Sequence, residues 1–395
     1  MIAVLDSARK TLSRMTGRIG LALGALTLAA CEPVTTAGNA PSVSTDGRVA
    51  VALMVPGASG QATDQLLSRS LENAARLAIA DLGTNRIDLR VYNTSGQPGE
   101  AGAIAQRAVA DGAKVILGPV FAQEANAAGV AVASQGVNVL SFSNNTDIAG
   151  ANVFVLGPTF ENTAQRLVRY AAAQGQRRVM IIHDRTPAGE AGRAAIARAV
   201  SGSGATLAQT MGYEFSQNGV TQAAPAIAAA ARASGADALF FTADSAGSLP
   251  LVTQLLRDQG LSPAQARYLG LTRWDIPQAT LALPGVQGGW FALPDPALYQ
   301  AFQARYQGAY GEVPHPIAGL AYDGIAAVGA LLSTGRPDAL SRGALTQNSG
   351  FAGVSGVFRF NADGTNERGL AVAEIRNRQV VVIDPAPRNF GGGFF

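Results

Sequence analysis

Apolar and polar positions follow one another in blocks that predict repeated strand–helix–strand units. Between residues 49 and 146, four short apolar runs each end in small or polar residues, and helix-like segments separate them. The first of these segments carries apolar residues at spacings of four, three and four, the mark of one buried helix face: Leu67, Leu71, Ala74 and Ala78. This alternation predicts a parallel sheet wound with helices.

A second series of the same kind begins after the break at Gly157-Pro158. Its strands, with helix-like segments between them, are predicted at 178–183, 206–213, 236–242 and 267–271. Another short strand at 288–292 precedes two helices, and the chain closes with strands at 370–375 and 380–383. Two α/β series of similar length on either side of a Gly-Pro break predict two lobes.

The N-terminus has the pattern of a bacterial lipoprotein signal. Four basic residues precede the apolar run 19–28, and small residues lead into Cys31, the one cysteine in the chain. Residues 1–30 are predicted to be a signal peptide, Cys31 the lipid attachment site, and residues 31–47 a flexible tether. By analogy with lipoprotein sorting, Glu32 predicts anchoring to the outer membrane, on its periplasmic side, with the lipid as the only membrane contact.

Removal of the signal peptide changes the charge balance. The chain has 30 Lys+Arg and 27 Asp+Glu, and residues 1–30 contain four basic and one acidic residue, so 26 of each sign remain. A formally neutral chain gives no electrostatic footprint for nucleic acid, and none is expected as a partner. With one cysteine, no internal disulfide can form, and the apolar content of 48% must supply the cores.

Catalytic and metal-binding patterns are not found in the sequence. His183 and Asp184 end a predicted strand, but no nucleophile is paired with them, which favours a structural role. His315 lies between two prolines and forms no cluster with the other histidine. Residues 361–367 lack the ligand spacing of a calcium loop and predict a hairpin turn. We therefore expect a non-enzymatic protein with no cofactor and no metal.

The order of the elements resembles the type I periplasmic-binding-protein fold, whose best-known branch is the leucine/isoleucine/valine-binding proteins. The Gly118-Pro119 loop, the strand end 181–184 and the closing run 356–364 carry the resemblance, which covers roughly residues 48–384. It implies an α/β protein with two doubly wound parallel-sheet lobes joined by a hinge with three crossovers. The expected divisions are lobe 1 at 48–157 and 288–346, lobe 2 at 158–287 and 347–384, and a disordered tail at 385–395.

The resemblance also implies a ligand cleft, although the amino-acid grip of the family is changed here. The loop after Gly118-Pro119 lacks serine and threonine, Ala188 stands where an aromatic ring is expected, and the expected acid lies close to Asp275. Trp274, Trp290 and Phe291 are predicted to fill the core. The candidate cleft residues lie at predicted strand ends and one helix turn: Ser59, Phe121, Gln123, Ser143, Asn144, Asn145, Asp184, Arg185, Asp244, Ser245, Arg273, Tyr322 and Asp323.

The changed grip and the lipoprotein signal are similar to those of penicillin-binding protein activators, which are lipid-anchored proteins with this fold. That resemblance implies a protein that binds and activates a peptidoglycan synthase (a penicillin-binding protein) and so regulates cell-wall synthesis. The alternative is a receptor that closes on an amino acid or other small polar ligand in the inter-lobe cleft for uptake by an ABC transporter. The missing catalytic groups disfavour a cell-wall hydrolase.

Overall fold

The computed structural model describes residues 41–83 and 85–390. Cys31, the predicted signal peptide and residues 31–40 and 391–395 lie outside these ranges. The strands are β1 (Val49–Val55), β2 (Ile87–Asn93), β3 (Val115–Leu117), β4 (Asn138–Ser141), β5 (Val153–Val155), β6 (Arg178–Asp184), β7 (Thr206–Tyr213), β8 (Ala238–Phe241), β9 (Arg267–Gly270), β10 (Trp290–Leu293), β11 (Phe351–Gly353), β12 (Gly356–Phe360), β13 (Asn366–Arg368), β14 (Ala371–Arg376) and β15 (Gln379–Asp384).

The helices alternate with these strands along most of the chain. They are α1 (Ala62–Leu82), α2 (Pro98–Ala110), α3 (Ala122–Val132), α4 (Phe160–Ala173), α5 (Pro187–Ser201), α6 (Gln217–Ser234), α7 (Leu249–Asp258), α8 (Pro296–Tyr310), α9 (Gly319–Ser333) and α10 (Arg342–Leu345). Within the described residues, no helix combines the length and apolar character needed to cross a membrane.

The first lobe is built on a five-stranded parallel sheet in the order β2-β1-β3-β4-β5. Successive residues of β1 bury into opposite faces: Val51 and Leu53 join one core, and Ala52 and Met54 join the other. Burial on both faces requires helices on both sides of the sheet. Because the four apolar positions predicted on α1 are all buried, the first predicted helix face is confirmed.

The second lobe is built on a seven-stranded sheet in the order β15-β14-β10-β9-β8-β6-β7. Five of its strands run parallel to one another: β10, β9, β8, β6 and β7. At the other side of β10, β14 and β15 form an antiparallel edge. Residues Met180 and Ile182 of β6 enter one core, and Val179 and Ile181 enter the other. The predicted α/β class with two parallel-sheet lobes is confirmed.

The predicted start of the returning segment at residue 288 is wrong. Strand β10 pairs with β9 and with β14, so Trp290–Leu293 belongs to the second sheet. Only the following helix, α8, enters the first core, through Phe302 and Tyr306. The sequence of this short strand does not indicate which sheet it joins, because its partner strands are distant in the sequence.

The predicted start of the final lobe 2 segment at residue 347 is also wrong. β11, β12 and β13 form a small antiparallel sheet, and Phe351, Phe358 and Phe360 pack in the first core. The second sheet resumes only at β14. The predicted hairpin turn is confirmed, since Asn361 N–H donates to the Thr365 carbonyl at 2.8 Å.

The described parts of the predicted tether and tail are packed against the fold. Val43 is 3% exposed and its N–H donates to the Pro337 carbonyl at 2.9 Å. At the other end Ala386 is buried, and the guanidinium of Arg359 lies 4.6 Å from the centre of the Phe390 ring. The prediction of flexible residues is therefore wrong for 41–47 and 385–390, where single apolar residues anchor the chain.

Candidate functional site

Two short connections bring the carboxyl edges of the two sheets next to each other. β5 joins α4 through residues 156–159 alone, and β10 joins α8 through Pro294 and Asp295 alone. Both connections leave a strand at its carboxyl end and enter the other lobe, as the core packing of α4 and α8 shows. In parallel α/β sheets ligands bind outside the carboxyl ends of the strands, so these adjoining edges are the candidate site.

Ser143, Asn144 and Asn145 lie on the first-lobe edge, directly after β4. Ser143 is buried, and its hydroxyl accepts a hydrogen bond from the Asn145 backbone N–H at 3.1 Å. The Asn145 side-chain oxygen accepts from the Asp147 N–H at 2.8 Å. The exposed Asn144 amide has no hydrogen bond to a described residue, so it can donate to a ligand and accept from one.

Phe121, Gln123 and Ser59 lie on neighbouring loops of the same edge. Phe121 is 42% exposed, and a Cβ built on Gly96 would lie 3.6 Å from its ring, so the ring rests against that loop. Gln123 is exposed on the first turn of α3. The Ser59 hydroxyl accepts from the Gln61 N–H at 3.1 Å. This edge therefore offers one aromatic face among neutral polar groups.

On the second-lobe edge, Asp184 ends β6 and Arg185 follows it. Asp184 is 6% exposed and accepts hydrogen bonds from the Thr186 N–H at 3.2 Å and the Thr242 hydroxyl at 3.4 Å. The exposed Arg185 pairs with Glu214 at 2.9 Å. Both predicted residues lie on the edge, but each is already held by a partner of its own lobe.

Asp244, Ser245 and Arg273 are on the same edge, after β8 and β9. Asp244 accepts from the Gly247 N–H at 2.5 Å, and the Ser245 hydroxyl donates to the Ile276 carbonyl. Arg273 binds Asp275 through two hydrogen bonds of 2.6 and 2.5 Å. Since Asp275 is the acid nearest the position expected to hold an amino group, Arg273 neutralises it.

Sequence reasoning missed the apolar part of this edge. Phe215, after β7, is 57% exposed, and Ile276, after β9, is 48% exposed. A Cβ on Gly247 would lie 3.1 Å from the Phe215 ring, so the loop after β8 supports it. Both residues lie in loops after predicted strands, which was the available signal in the sequence.

Tyr322 and Asp323 are not on the cleft edges, and their prediction as cleft residues is wrong. The Tyr322 hydroxyl donates to Asp81 at the end of α1, at 2.8 Å. Asp323 is fully buried and pairs with Arg368 at 3.2 Å. One turn of α9 thus faces helix α1 and the hinge, because helical neighbours one residue apart point in different directions.

His183 is a buried structural histidine in the described structure. It is 6% exposed, its Nδ1 lies 3.1 Å from the Asp184 carbonyl, and Glu190 lies 3.4 Å away. No serine or threonine of the described residues hydrogen-bonds the ring. Among these residues there is also no group of three or more His, Cys, Asp or Glu that could hold a metal. Trp274, Trp290 and Phe291 are at most 5% exposed, so their prediction as core residues is confirmed.

Glu124 is an unexpected buried carboxylate behind the first-lobe edge. Its side chain is 0% exposed, and neither oxygen has a hydrogen bond of normal geometry with a described residue. Burial raises the pKa of Glu124, the charge of Asp64 adds to the rise, and the nearby Thr94 hydroxyl opposes it. The folded chain therefore binds this proton more tightly than the unfolded chain does.

Replacement Glu124→Gln is expected to raise the melting temperature at pH 8 and to change it little near pH 4. A raised pKa contributes stability that is present below the unfolded value of about 4.5 and lost as pH rises through the folded value. Removing the charge therefore stabilises the folded protein most at high pH. Thermal unfolding from pH 4 to 8 measures this, with the exposed Glu100→Gln as control. An equal shift at both pH values would contradict the assignment.

The fold and the edge define a class: a two-lobed α/β protein with a candidate ligand site at the carboxyl edges of its sheets. The sequence matches the family described as periplasmic binding protein over residues 49–379. The chain belongs to this family, whose members are periplasmic ligand binders. A search of curated proteins finds no match.

Solved structures show the same fold at low sequence identity. A branched-chain amino acid ABC transporter periplasmic ligand-binding protein from Burkholderia xenovorans LB400 is 18% identical, with TM-score 0.68, over 87% of this chain and 97% of that one. An ABC transporter substrate-binding protein from Desulfitobacterium hafniense in complex with Leu is 20% identical, with TM-score 0.62, over 85% and 100%.

A third structure has a different ligand. A solute-binding protein of an ABC transporter from Rhodopseudomonas palustris BisB5, in complex with 3,4-dihydroxybenzoic acid, is 19% identical, with TM-score 0.57, over 86% of this chain and 96% of that one. At these identities the similarity establishes the fold alone, and the same fold is found with an aliphatic amino acid and with an aromatic acid.

Proposed function

We propose that the protein is a solute-binding receptor of an ABC transporter, and that its cleft takes a small solute with an apolar body and a polar head. The observation that carries this is that each edge has an exposed ring, Phe121 on one lobe and Phe215 on the other, and that the first-lobe edge also has the free amide of Asn144. Apolar walls with a few polar groups are typical of small-molecule sites.

The standard amino-acid grip is not part of the proposal. An α-amino group needs an available carboxylate, and Asp275 is bound to Arg273 while Asp184 is bound to Thr186. An aromatic or aliphatic acid needs donors and an apolar surface instead, which the edge provides. The dihydroxybenzoate complex of the R. palustris protein supports this chemistry.

The lipid anchor at Cys31 and the peptidoglycan synthase partner stay predictions. Both derive from the sequence pattern alone, and the similar solved structures are transporter proteins, which favours the receptor function. Mass spectrometry of the membrane-extracted protein tests the anchor. Pulldown with the periplasmic domain of a synthase, followed by a transpeptidase rate assay, tests the partner.

Replacing Phe121 or Phe215 by alanine is expected to weaken ligand binding about tenfold each, as the loss of a partly exposed aromatic contact implies. The first step is a thermal-shift screen of aromatic acids, aliphatic acids and amino acids, since a ligand at 100 times its Kd stabilises by about 2.7 kcal/mol. Titration calorimetry of the hit with each variant follows.

Val130→Ala, at an exposed position near the carboxyl end of α3, is the matched control and should leave the affinity unchanged. A flat screen together with activation of the synthase would contradict the receptor function. A hit whose affinity survives both phenylalanine replacements would place the site elsewhere in the chain.

A further inference from the structure

One cavity of the described residues, here called the hinge cavity, lies beside the connection from β5 to α4, and none of the candidate cleft residues named above is among its lining residues. Its volume is about 590 Å³, within the usual range for small-molecule sites. It lies between the start of α4, the β12–β13 hairpin, Thr146 of the first lobe and Arg198 of α5. Elements of both lobes therefore form its walls.

Every side chain that lines this hinge cavity is polar or charged. Seven are neutral amides or hydroxyls: Thr146, Thr159, Asn162, Gln165, Asn361, Thr365 and Asn366. No aromatic or aliphatic side chain is among them, which disfavours amino acids with apolar side chains. Several hydroxyl groups on the ligand would match such a lining, because amides and hydroxyls both donate and accept hydrogen bonds.

One arginine of the hinge cavity, Arg169, has no anionic partner among the described residues. Arg198 binds Glu161, and Arg359 binds Glu367 at 2.5 Å. Asp363 accepts from the Thr365 N–H at 2.9 Å and its hydroxyl at 2.6 Å. Arg169 has no hydrogen bond or ion pair with a described residue. Asp363 has no cationic partner among the described residues either, so the lining, with three arginines and three acidic residues, is formally neutral. A carboxylate on the ligand would give Arg169 an anionic partner.

A second observation is the unsatisfied side-chain oxygen of Asn366, a residue that belongs to the lining of the same cavity. Asn366 is 4% exposed, and its Nδ2 donates to the carbonyls of Val155 and Gly157 at 2.7 and 2.8 Å. Its Oδ1 accepts no hydrogen bond from a described residue. A buried acceptor without a donor is costly, and a ligand hydroxyl would supply one.

The geometry points to a second ligand site in the hinge cavity, lined by other residues than the candidate cleft, that takes a small polyhydroxylated carboxylate of the sugar-acid type. Arg169 binds the carboxylate, and the amides and hydroxyls bind the hydroxyl groups. Arg169 also lines a smaller cavity of about 40 Å³, which shares Asn162 and Gln165 with the hinge cavity and extends to Arg368. The site thus borders the buried ion pair of the hinge.

Titration calorimetry with D-glucuronate, D-gluconate, D-glucose and inorganic phosphate tests the site on the full protein. We expect both sugar acids to bind, and D-glucose to bind at least about tenfold more weakly because it lacks the charge. Arg169→Ala should weaken the sugar acids by about tenfold or more. Arg257→Ala, which removes an exposed arginine from α7, should change nothing.

Absence of heat with both sugar acids would overturn the site. Equal affinity for D-glucose would overturn the role of Arg169, and binding of phosphate alone would identify an adventitious ion only. Phe121→Ala and Phe215→Ala must leave sugar-acid affinity unchanged, because they belong to the cleft. Loss of sugar-acid binding in these two variants would assign the ligand to the cleft instead, so the two proposals fail separately.

Discussion

Replacing Arg368 by methionine is expected to lower the free energy of unfolding by about 3–5 kcal/mol. Arg368 is 6% exposed and its partner Asp323 is 0% exposed, with Nη1 3.2 Å from Oδ2. Burial raises the pKa of Asp323 while Arg368 opposes the rise. Without the arginine the carboxylate has no counter-charge in the interior. Urea unfolding followed by circular dichroism gives the free energy directly.

A double replacement separates the charge effect from packing. Asp323→Leu together with Arg368→Met removes both charges and should recover part of the loss, because no ion is then left buried alone. The solvent-exposed pair is the control: Arg336→Met, which breaks the contact with Asp338, should leave the unfolding midpoint unchanged. A single Arg368 variant as stable as the parent protein would show that the pair contributes nothing.

Loss of this pair should also affect the hinge, because both of its residues bind backbone groups of neighbouring segments. Arg368 also donates to the Leu156 carbonyl in the connection from β5 to α4, with Nε at 3.1 Å. Asp323 accepts from the Val354 N–H in the turn between β11 and β12 at 2.8 Å. One buried pair therefore connects that crossover and that turn to α9. Lobe movements in a binding protein of this family would be expected to pivot around such a fixed point.

The α/β series was predictable from local patterns because both faces of each central strand are buried. A strand such as β1 then reads as an uninterrupted apolar run, and α1 shows its buried face at helical spacing. The sheet that a strand joins is not local information. Strand β10 has four residues, and only its pairing with β9 and β14 assigns it to the second lobe.

The position of the candidate site could be predicted, but the hydrogen-bond and ion-pair partners of its side chains could not. Eleven of the thirteen predicted cleft residues end a strand, lie in the loop after one or begin the next helix. Tyr322 and Asp323 instead bind Asp81 and Arg368. That Arg273 neutralises Asp275 depends on side-chain geometry that spacing does not specify. The hinge cavity could not be predicted, since its lining residues span positions 146 to 367.

Replacing Gly118 by alanine is expected to destabilise the protein by about 3 kcal/mol or more and to abolish binding in the cleft. Gly118 follows β3 on the first-lobe edge with φ of 84°, and an added Cβ would lie 2.3 Å from the Met54 carbonyl oxygen. The left-handed backbone alone costs about 1–2 kcal/mol for a residue with a side chain. The clash with a backbone atom adds about 1–3 kcal/mol, since neither strand can move without shifting the edge.

Gly83→Ala is the matched control, because Gly83 also has positive φ, 58°, at the end of α1, but nothing lies within 4 Å of its added Cβ. Its variant should lose only the backbone contribution of about 1 kcal/mol and keep its ligand affinity. Urea unfolding and calorimetry on both variants measure the two effects separately. Equal losses in the two variants would mean that the contact with Met54 relaxes freely. In that case the close approach of β1 and β3 does not determine the position of the loop that contains Phe121.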